Sequence, residues 1–382
     1  MKFLHTGDLH IGKTVYDFSM LEEQRHILTK IAEIAEREAV DAVVIAGDVY
    51  DRSIPSTEAV NVLDAFLTRL TEAGIRVFLI SGNHDSPERV GFADKILEKQ
   101  GLYIGGCVEE ELKQVTMQDS YGSVTFVLLP FTKPAVVGAA NCGEAVELLL
   151  KKNGFGPDRK RTPGNRYVLV THFFVTGSGG CLPELSDSET TVHVGGLEQV
   201  GAEVFAGFDY VALGHIHKMQ RIGEGNCYYA GSPLKYSFSE CSQTKGVWLV
   251  TMEEETTVIS IPLQPIHEMR IIKGTLAALL QQDVVDAAPR EDYIQAVLTD
   301  EEELLDPMGT LRSVYPNMMQ IRLDKNERKE TDVYETRLTV QGRSPLELFK
   351  EFYAIVKEEP LDTRREQIVQ ECFKKAGKGE WT

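Results

Sequence analysis

Five apolar runs rich in β-branched residues recur along the first two thirds of the chain: KFLHTGD, AVVIAGD, RVFLISGNHD, YVLVTH and YVALGHIH. Each predicts a buried strand, and each ends in Gly, Asp, Asn or His. Helical spacing fills the gaps between the first three. FSMLEEQRHILTKIAEIAERE carries one such pattern. STEAVNVLDAFLTRLTEAG carries another, with Ser56 and Thr57 as capping candidates and Gly74 as the stop. Strand–helix–strand alternation predicts a parallel core sheet with helices on its faces. Later runs, SVTFVLLP, CYYAGS, GVWLVTM and TVISIPL, lack long helices between them and suggest a second sheet packed on the first. The expected fold class is α/β: residues 1–264 form a two-sheet sandwich flanked by helices. A βαβαβ pattern over 265–327 (MRIIKG, TLAALLQQDVV, DYIQAVLTD, PMGTLRSVY, NMMQIRLDK) predicts a small α/β unit, and residues 328–382 predict C-terminal helices.

Sites in open α/β sheets form at the carboxyl ends of strands, and the polar residues gather there. They are Asp8, His10, Asp48, Asn83, His84, Asp85, His172, His215 and His217. A mixed Asp, Asn and His set suits manganese, iron, zinc or magnesium rather than a thiolate-seeking metal. The set is too large for one tetrahedral zinc, whereas two ions sharing a carboxylate would use it all. Two-metal sites clamp phosphate esters and generate a hydroxide nucleophile. The glycines at 7, 47, 82 and 214 precede these residues and permit sharp turns and close backbone approach. His215 and His217 stand a strand period apart, so both imidazoles are expected on one side with Ile216 turned into packing. His5 and His26 read as packing or surface residues, and His193 and His267 receive no role.

Composition narrows the class. The chain has 382 residues, 42% of them hydrophobic, and no apolar run long enough to span a membrane. Cysteines 107, 142, 181, 227, 241 and 372 form no CxxC pair, which argues against a zinc knuckle and fits reduced thiols. The opening MKFLHTGDLH meets polar residues too early for a signal peptide. The expected location is therefore the cytoplasm. A net charge of −18 excludes a protein that holds DNA by bulk attraction alone. The final segment is balanced, with 11 basic and 11 acidic residues over 328–382. One basic cluster, KKNGFGPDRKRTPGNR (151–166), reads as a solvated loop.

The conjunction GDLH, GDVYD, GNHD, TH and GHIH, in that order and each after a strand-like run, resembles the calcineurin-like metallophosphoesterase superfamily. HTGDLHIGK, GDVYDRSIPS, SGNHDSPERV, SDSETTVHVGGLE, FDYVALGHIHKMQ and YYAGSPLKYSFSE resemble stretches of the SbcD family of nuclease subunits. That resemblance implies one metal held by Asp8, His10, Asp48 and His217. A second would be held by Asp48, Asn83, His172 and His215, with Asp48 bridging. Manganese is the expected ion, with magnesium or another divalent ion as the alternative. His84 would stabilise the phosphorane charge or protonate the leaving oxygen, and Asp85 would orient His84. Asp51 would hold a ligand or cap a helix. Lys13, Arg52 and Arg89 lie beside these motifs and are candidates for DNA-backbone contact. The family also implies exonuclease action on double-stranded ends, endonuclease action on single strands and hairpins, and roles in DNA repair, recombination and replication. It implies a homodimer within a heterotetramer with an SbcC-like ATPase. The apolar faces of SPLELFKEFYAIVKEE and of the following helix (Ile368, Val369, Cys372, Phe373) would bind that partner. Another two-metal phosphoesterase, a phosphatase or cyclic-nucleotide phosphodiesterase, is the alternative, and a non-catalytic scaffold the third reading.

Overall fold

The computed structural model describes residues 1–108, 111–156, 164–177, 181–189, 198–324 and 361–376, with Leu346, Phe349, Lys350 and Tyr353. Its main elements, in chain order, begin with β1 (Lys2–Thr6), α1 (Leu21–Arg37), β2 (Ala42–Ala46), α2 (Thr57–Glu72), β3 (Arg76–Ile80) and β4 (Leu102–Gly105). There follow β5 (Lys113–Asp119), β6 (Gly122–Leu129), α3 (Cys142–Lys152), β7 (Asn165–His172) and β8 (Tyr210–Gly214). Then come β9 (Gln220–Ile222), β10 (Cys227–Tyr229), β11 (Gly246–Met252) and β12 (Thr256–Pro262). The remainder holds β13 (Met269–Gly274), α4 (Leu276–Leu279), α5 (Gln282–Val285), β14 (Tyr293–Leu298), α6 (Pro307–Arg312), β15 (Met318–Leu323) and α7 (Thr363–Ala376).

Two six-stranded sheets face each other, one ordered β12-β11-β1-β2-β3-β4 and the other β9-β10-β8-β7-β6-β5. β1 to β4 run parallel, as do β6, β7, β8 and β10. The apolar runs become strands buried on both faces. In β2, Val43 and Ile45 join the core under α1 and α2, while Ala42, Val44 and Ala46 join the core between the sheets. That two-sided burial is why AVVIA shows no polar alternation. The sheets interlock through aromatic rings: Phe78 and Phe126 stack at 4.0 Å, and Phe3 meets Phe126 edge-on at 5.5 Å. Each such pair contributes about 0.5–1.5 kcal/mol beyond its buried area. On the far side, Val146, Leu149 and Leu150 of α3 cover Val127, Leu169 and Val211. Ser56 caps α2 by accepting the Ala59 N–H at 3.2 Å, and Gly74 ends that stretch at φ +75°.

The expected assignment of strands to sheets needs correction. GVWLVTM and TVISIPL are β11 and β12. They join the first sheet rather than the second, β11 antiparallel to β1 and β12 antiparallel to β11. YVLVTH and YVALGHIH supply β7 and the strand preceding His215, both in the second sheet. Local patterning reports burial but not which distant strand supplies the hydrogen bonds.

Beyond the sandwich, β13, β14 and β15 form a parallel three-stranded sheet. It has an apolar cluster of its own, including Ile294, Leu298, Leu311, Tyr315 and Met318. TLAALLQQDVV is not one helix: Gln281 is extended at ψ 140° and divides it into α4 and α5. Glu23 of α1 ties this unit to the sandwich, accepting the N–H groups of Ile266 (2.8 Å) and His267 (3.0 Å) and His267 Nδ1–H (2.7 Å). Most of SPLELFKEFYAIVKEE lies outside the described residues. On α7, Ile368 and Phe373 are exposed, and Phe373 meets the Phe349 ring at 6.3 Å. Among the described residues no helix is long and apolar enough to cross a membrane.

Candidate metal centre

All nine candidate residues lie at or just beyond the carboxyl ends of parallel strands. Asp8 and His10 follow β1, Asp48 follows β2, and Asn83, His84 and Asp85 follow β3. His172 ends β7, and His215 and His217 follow β8. The turns that carry them are strained. Asp8 (φ 49°), His10 (φ 44°), Asp48 (φ 48°) and His215 (φ 100°) all occupy the left-handed region. Each such residue costs on the order of 1 kcal/mol or more and persists only where its surroundings enforce it. Backbone bonds do so here: Asp8 N donates to Gly47 O at 3.1 Å, and His10 N to Asp48 O at 2.9 Å. Two glycines are obligatory by space. A Cβ on Gly82 would lie 2.1 Å from Asp48 Oδ1, and one on Gly214 1.8 Å from Ala46 O.

The side chains converge on one point. His10 Nε2 and His217 Nε2 lie 3.1 Å apart. Asp48 Oδ2 stands between the two halves of the cluster, 3.6 Å from His10 Nε2 and 3.4 Å from His172 Nε2. Asn83 Oδ1 lies 3.0 Å from His172 Nε2 and 3.1 Å from His215 Nδ1. His172 Nδ1–H donates to Ala46 O at 2.8 Å, which turns Nε2 toward the cluster. Asp8 Oδ1 accepts the His215 N–H at 2.8 Å. Asp8 Oδ2 is buried without a hydrogen-bond partner among the described residues. Such an atom costs about 1–3 kcal/mol, and more when charged, unless a cation meets it.

The electrostatics ask for positive charge. Burial, reinforced by the Asp48 charge, raises the Asp8 pKa to about 7 despite the facing histidines. Burial alone would lower the His172 pKa, but the carboxylates of Asp48 and Asp8 outweigh it and hold it at about 9. Burial drives His10 well below its ordinary value, which leaves one of its ring nitrogens with a free lone pair. Sets of one ligand atom each from Asp8, His10 and His217, and from Asp8, Asp48 and His172, lie within 4.8 Å of one another. The donors are carboxylate and imidazole, and Asp8, which carries the orphaned oxygen, belongs to both sets. The residues therefore fit divalent cations.

Three expectations change on contact with the geometry. First, β8 stops at Gly214, so a strand period does not align His215 and His217. The left-handed turn at His215 sends its imidazole to Asn83 and His172, while His217 reaches His10. Ile216 is buried as expected. Second, Asp85 does not orient His84 by contact. Its carboxylate accepts the N–H groups of Val49 (3.0 Å), Tyr50 (2.9 Å) and Gly82 (2.9 Å), which locks the turns after β2 and β3 together. His84 is oriented instead by its Nδ1–H, which donates to Asp51 O at 3.1 Å, while its N–H donates to Asp48 Oδ1 at 2.9 Å. Third, Asp51 caps no helix, since Ser56 does that. Its carboxylate pairs with Lys13 at 2.7 Å and lies 3.6 Å from His10 Nδ1. Lys13 is thereby turned inward, whereas Arg52 and Arg89 are exposed.

His5 is buried, with Nδ1 2.9 Å from the Tyr210 hydroxyl, and His26 lies on the surface of α1. Arg166, from the basic cluster, is consumed by Asp119 (2.5 Å) and Met252 O (2.5 Å). Residues 157–163 of that cluster, and His193, lie outside the described residues.

Several supporting residues receive no individual role from the sequence, although Ser188, Glu189 and Glu240 lie within the SDSETTVHVGGLE and YYAGSPLKYSFSE stretches. Gln24 of α1 is buried and donates to His10 O at 2.7 Å while accepting the Gly12 N–H at 2.9 Å. Its one signal is an amide inside the apolar face of a helix. Behind His217 lie Ser188, Glu189, Glu240 and the buried Lys245, which pairs with Glu240 at 2.5 Å. Burial opposes ionisation of Glu240, but His217 and Lys245 prevail and lower its pKa to about 2. A cavity of about 230 Å³ opens on Asp48, Asn83, His84, His215 and His217, walled by Phe131, Phe173 and Phe174.

A two-sheet sandwich with this ring of Asp, Asn and His at its strand ends defines a metallophosphoesterase. The calcineurin-like phosphoesterase family matches residues 1–219, and the type 5 capsule protein repressor C-terminal domain matches residues 265–357. The chain is 32% identical over 331 residues to the SbcD subunit of the nuclease SbcCD from Staphylococcus epidermidis, covering 84% of this chain and 85% of the relative. It is 30% identical over 376 residues to the protein of the same name from Staphylococcus saprophyticus, covering 98% of each. A dimetal phosphatase from Danio rerio superposes with a TM-score of 0.37 at 12% identity, over 70% of this chain and 98% of that one. The chain belongs to the SbcD-type nucleases of the calcineurin-like family, metal-dependent phosphodiester hydrolases.

Proposed function

We propose that the chain cleaves DNA phosphodiesters with two manganese ions, acting as the nuclease partner of an SbcC-like ATPase. The observation that carries the two-ion reading is Asp48 Oδ2, which stands within 3.6 Å of imidazole nitrogens on both sides of the cluster. Asp8, His10, Asp48 and His217 would hold one ion, and Asp48, Asn83, His172 and His215 the other. When bound, the pair supplies charge stabilisation for the phosphate and lowers the pKa of the attacking water. The protein's own groups do the rest. His172 and His217 are held with Nε2 inward, and Gln24 and Asp85 fix the turns that carry His10 and Asp48. His84, anchored by its Nδ1–H to a backbone carbonyl, stands edge-on to His10 with ring centroids 4.8 Å apart. As the imidazolium it would also carry an Nε2 proton, which would stabilise the phosphorane charge or pass to the leaving oxygen.

Residues 1–264 would form the nuclease domain, residues 265–327 the capping or DNA-binding domain, and residues 328–382 the helices that dock on the ATPase. Arg52 and Arg89 would contact the DNA backbone, and Lys13 acts instead through Asp51. A homodimer within a heterotetramer, in the bacterial cytoplasm, completes the reading. The test is cleavage of an end-labelled DNA hairpin with manganese by wild type and His84→Ser, with bis-para-nitrophenyl phosphate in parallel. Turnover should fall roughly 10²- to 10⁴-fold in the variant while its manganese content is unchanged. Loss of bound manganese would make His84 structural. Hydrolysis of the small ester without DNA cleavage, with the ATPase present, would favour a phosphatase.

A further inference from the structure

His217 is held at three points by residues from segments distant from it in sequence. Glu189 Oε1 accepts its backbone N–H, Lys245 Nζ donates to its carbonyl at 2.8 Å, and Ser188 Oγ lies 2.7 Å from its Nδ1. The third contact has a direction that can be worked out. Glu240 faces the Lys245 ammonium at 2.5 Å, so it is a carboxylate and only accepts. Ser188 Oγ makes a short hydrogen bond to Glu240 Oε1, and a hydroxyl has one hydrogen to give. That hydrogen goes to Glu240. Toward His217, Ser188 can then only accept, so the imidazole proton sits on Nδ1. Ser186 does not disturb the count, because its hydroxyl can donate to Ser188 (2.8 Å) or Glu240 (3.2 Å) and leaves the Ser188 hydrogen in place.

We infer that Ser188, set by the buried Glu240–Lys245 pair, is a positioning residue that fixes His217 as the Nδ1–H tautomer, with the Nε2 lone pair turned toward His10 and Asp8. The inference rests on the reading of His217 as a metal ligand. It assigns to Ser188 what the Ala46 carbonyl does for His172. The two differ in kind: a carbonyl can only accept, whereas a hydroxyl accepts here only while Glu240 takes its hydrogen. The segment 181–189 and the turn at Phe238–Glu240, far apart in sequence, thus jointly decide whether this imidazole can ligate. Partners that orient a ligating histidine in this way typically account for roughly 10- to 100-fold in metal affinity.

The experiment uses the full-length chain labelled with ¹⁵N-histidine, with His217→Asn to assign the His217 signals. In chelated wild type, Nδ1 should give the protonated shift and Nε2 the unprotonated one. Ser188→Ala, which leaves the Glu240–Lys245 pair intact, should lose that preference. It should also bind one of two manganese ions about 10- to 100-fold more weakly in calorimetry. Ser188→Thr should restore both readouts. Glu240→Gln provides a second route, because its amide can donate to Ser188 and send the hydroxyl hydrogen to Nδ1, inverting the tautomer. An unchanged tautomer in Ser188→Ala, with unchanged affinity for both ions, overturns the inference. If wild type takes up no manganese, the metal reading fails, and the tautomer in the chelated protein still decides the role of Ser188.

Discussion

The sandwich has parallel strands at the centre of each sheet and the three-stranded unit is parallel throughout, both over an apolar core, yet their strand ends differ. In the sandwich, four of the candidate residues hold left-handed backbone, and the carboxylate of Asp8 is buried with one oxygen unpartnered among the described residues. In the three-stranded unit, the one described non-glycine residue with positive φ is Asp306 (41°). It is exposed, and its side chain accepts the Gly309 N–H at 3.0 Å to cap α6. The second pattern is ordinary folding, in which a local strain is relieved by a local hydrogen bond. The first pattern concentrates backbone strain and leaves one carboxylate oxygen without a hydrogen-bond partner among the described residues, and total stabilities are only about 5–15 kcal/mol. Such a concentration marks a place kept for a ligand.

Asp48→Asn should separate the two regions most sharply. The substitution keeps the volume and an oxygen for the His84 N–H but removes the charge shared by both halves of the cluster. Turnover should fall to background, and manganese should no longer raise the melting temperature. In wild type, saturation at about a hundred times Kd adds about 2.7 kcal/mol. If Asp48→Asn still gains that stabilisation, the shared-carboxylate geometry is wrong.

A smaller effect tests burial without ligation. His5 lies on β1, beneath the site, and burial lowers its pKa to about 3. The unfolded chain binds a proton there below about 6.5, and the folded chain does not until about pH 3. Stability should therefore fall as pH drops through that window, by about 1.4 kcal/mol per unit for this one group. His5→Gln should flatten the slope by one proton in denaturant titrations at about pH 4 to 6. A slope that does not change would mean that His5 is protonated in the folded chain. The smallest effect belongs to the other region. Asp306→Ala should cost about 1 kcal/mol through the lost cap and leave manganese affinity untouched. Altered metal binding would show that the two regions are coupled.

Much of this was legible in the chain, for reasons the structure explains. Strands buried on both faces must be continuous apolar runs, so AVVIA and RVFLI announced themselves. The site residues sit where those runs stop, and glycines such as Gly82 and Gly214 are required by space. What escaped was long-range. The pairing of β11 with β1 joins Lys2 to Thr251, at opposite ends of the sandwich sequence. Asp85 looked like a partner for its neighbour His84, but its hydrogen bonds go to backbone that only the fold brings near. The support of His217 by Ser188, Glu240 and Lys245 joins segments with no common spacing. Ser188 and Glu240 lie in stretches that carry the family resemblance, but nothing in those stretches announces their pairing, and Gln24 shows only as a polar residue on the buried face of α1.

The most direct measurement is anomalous diffraction from crystals of this chain soaked in manganese. Two peaks about 3.5–4 Å apart, one among Asp8, His10 and His217 and one among Asn83, His172 and His215, with Asp48 between them, is the predicted result. A single peak, or peaks away from Asp48, would contradict the account.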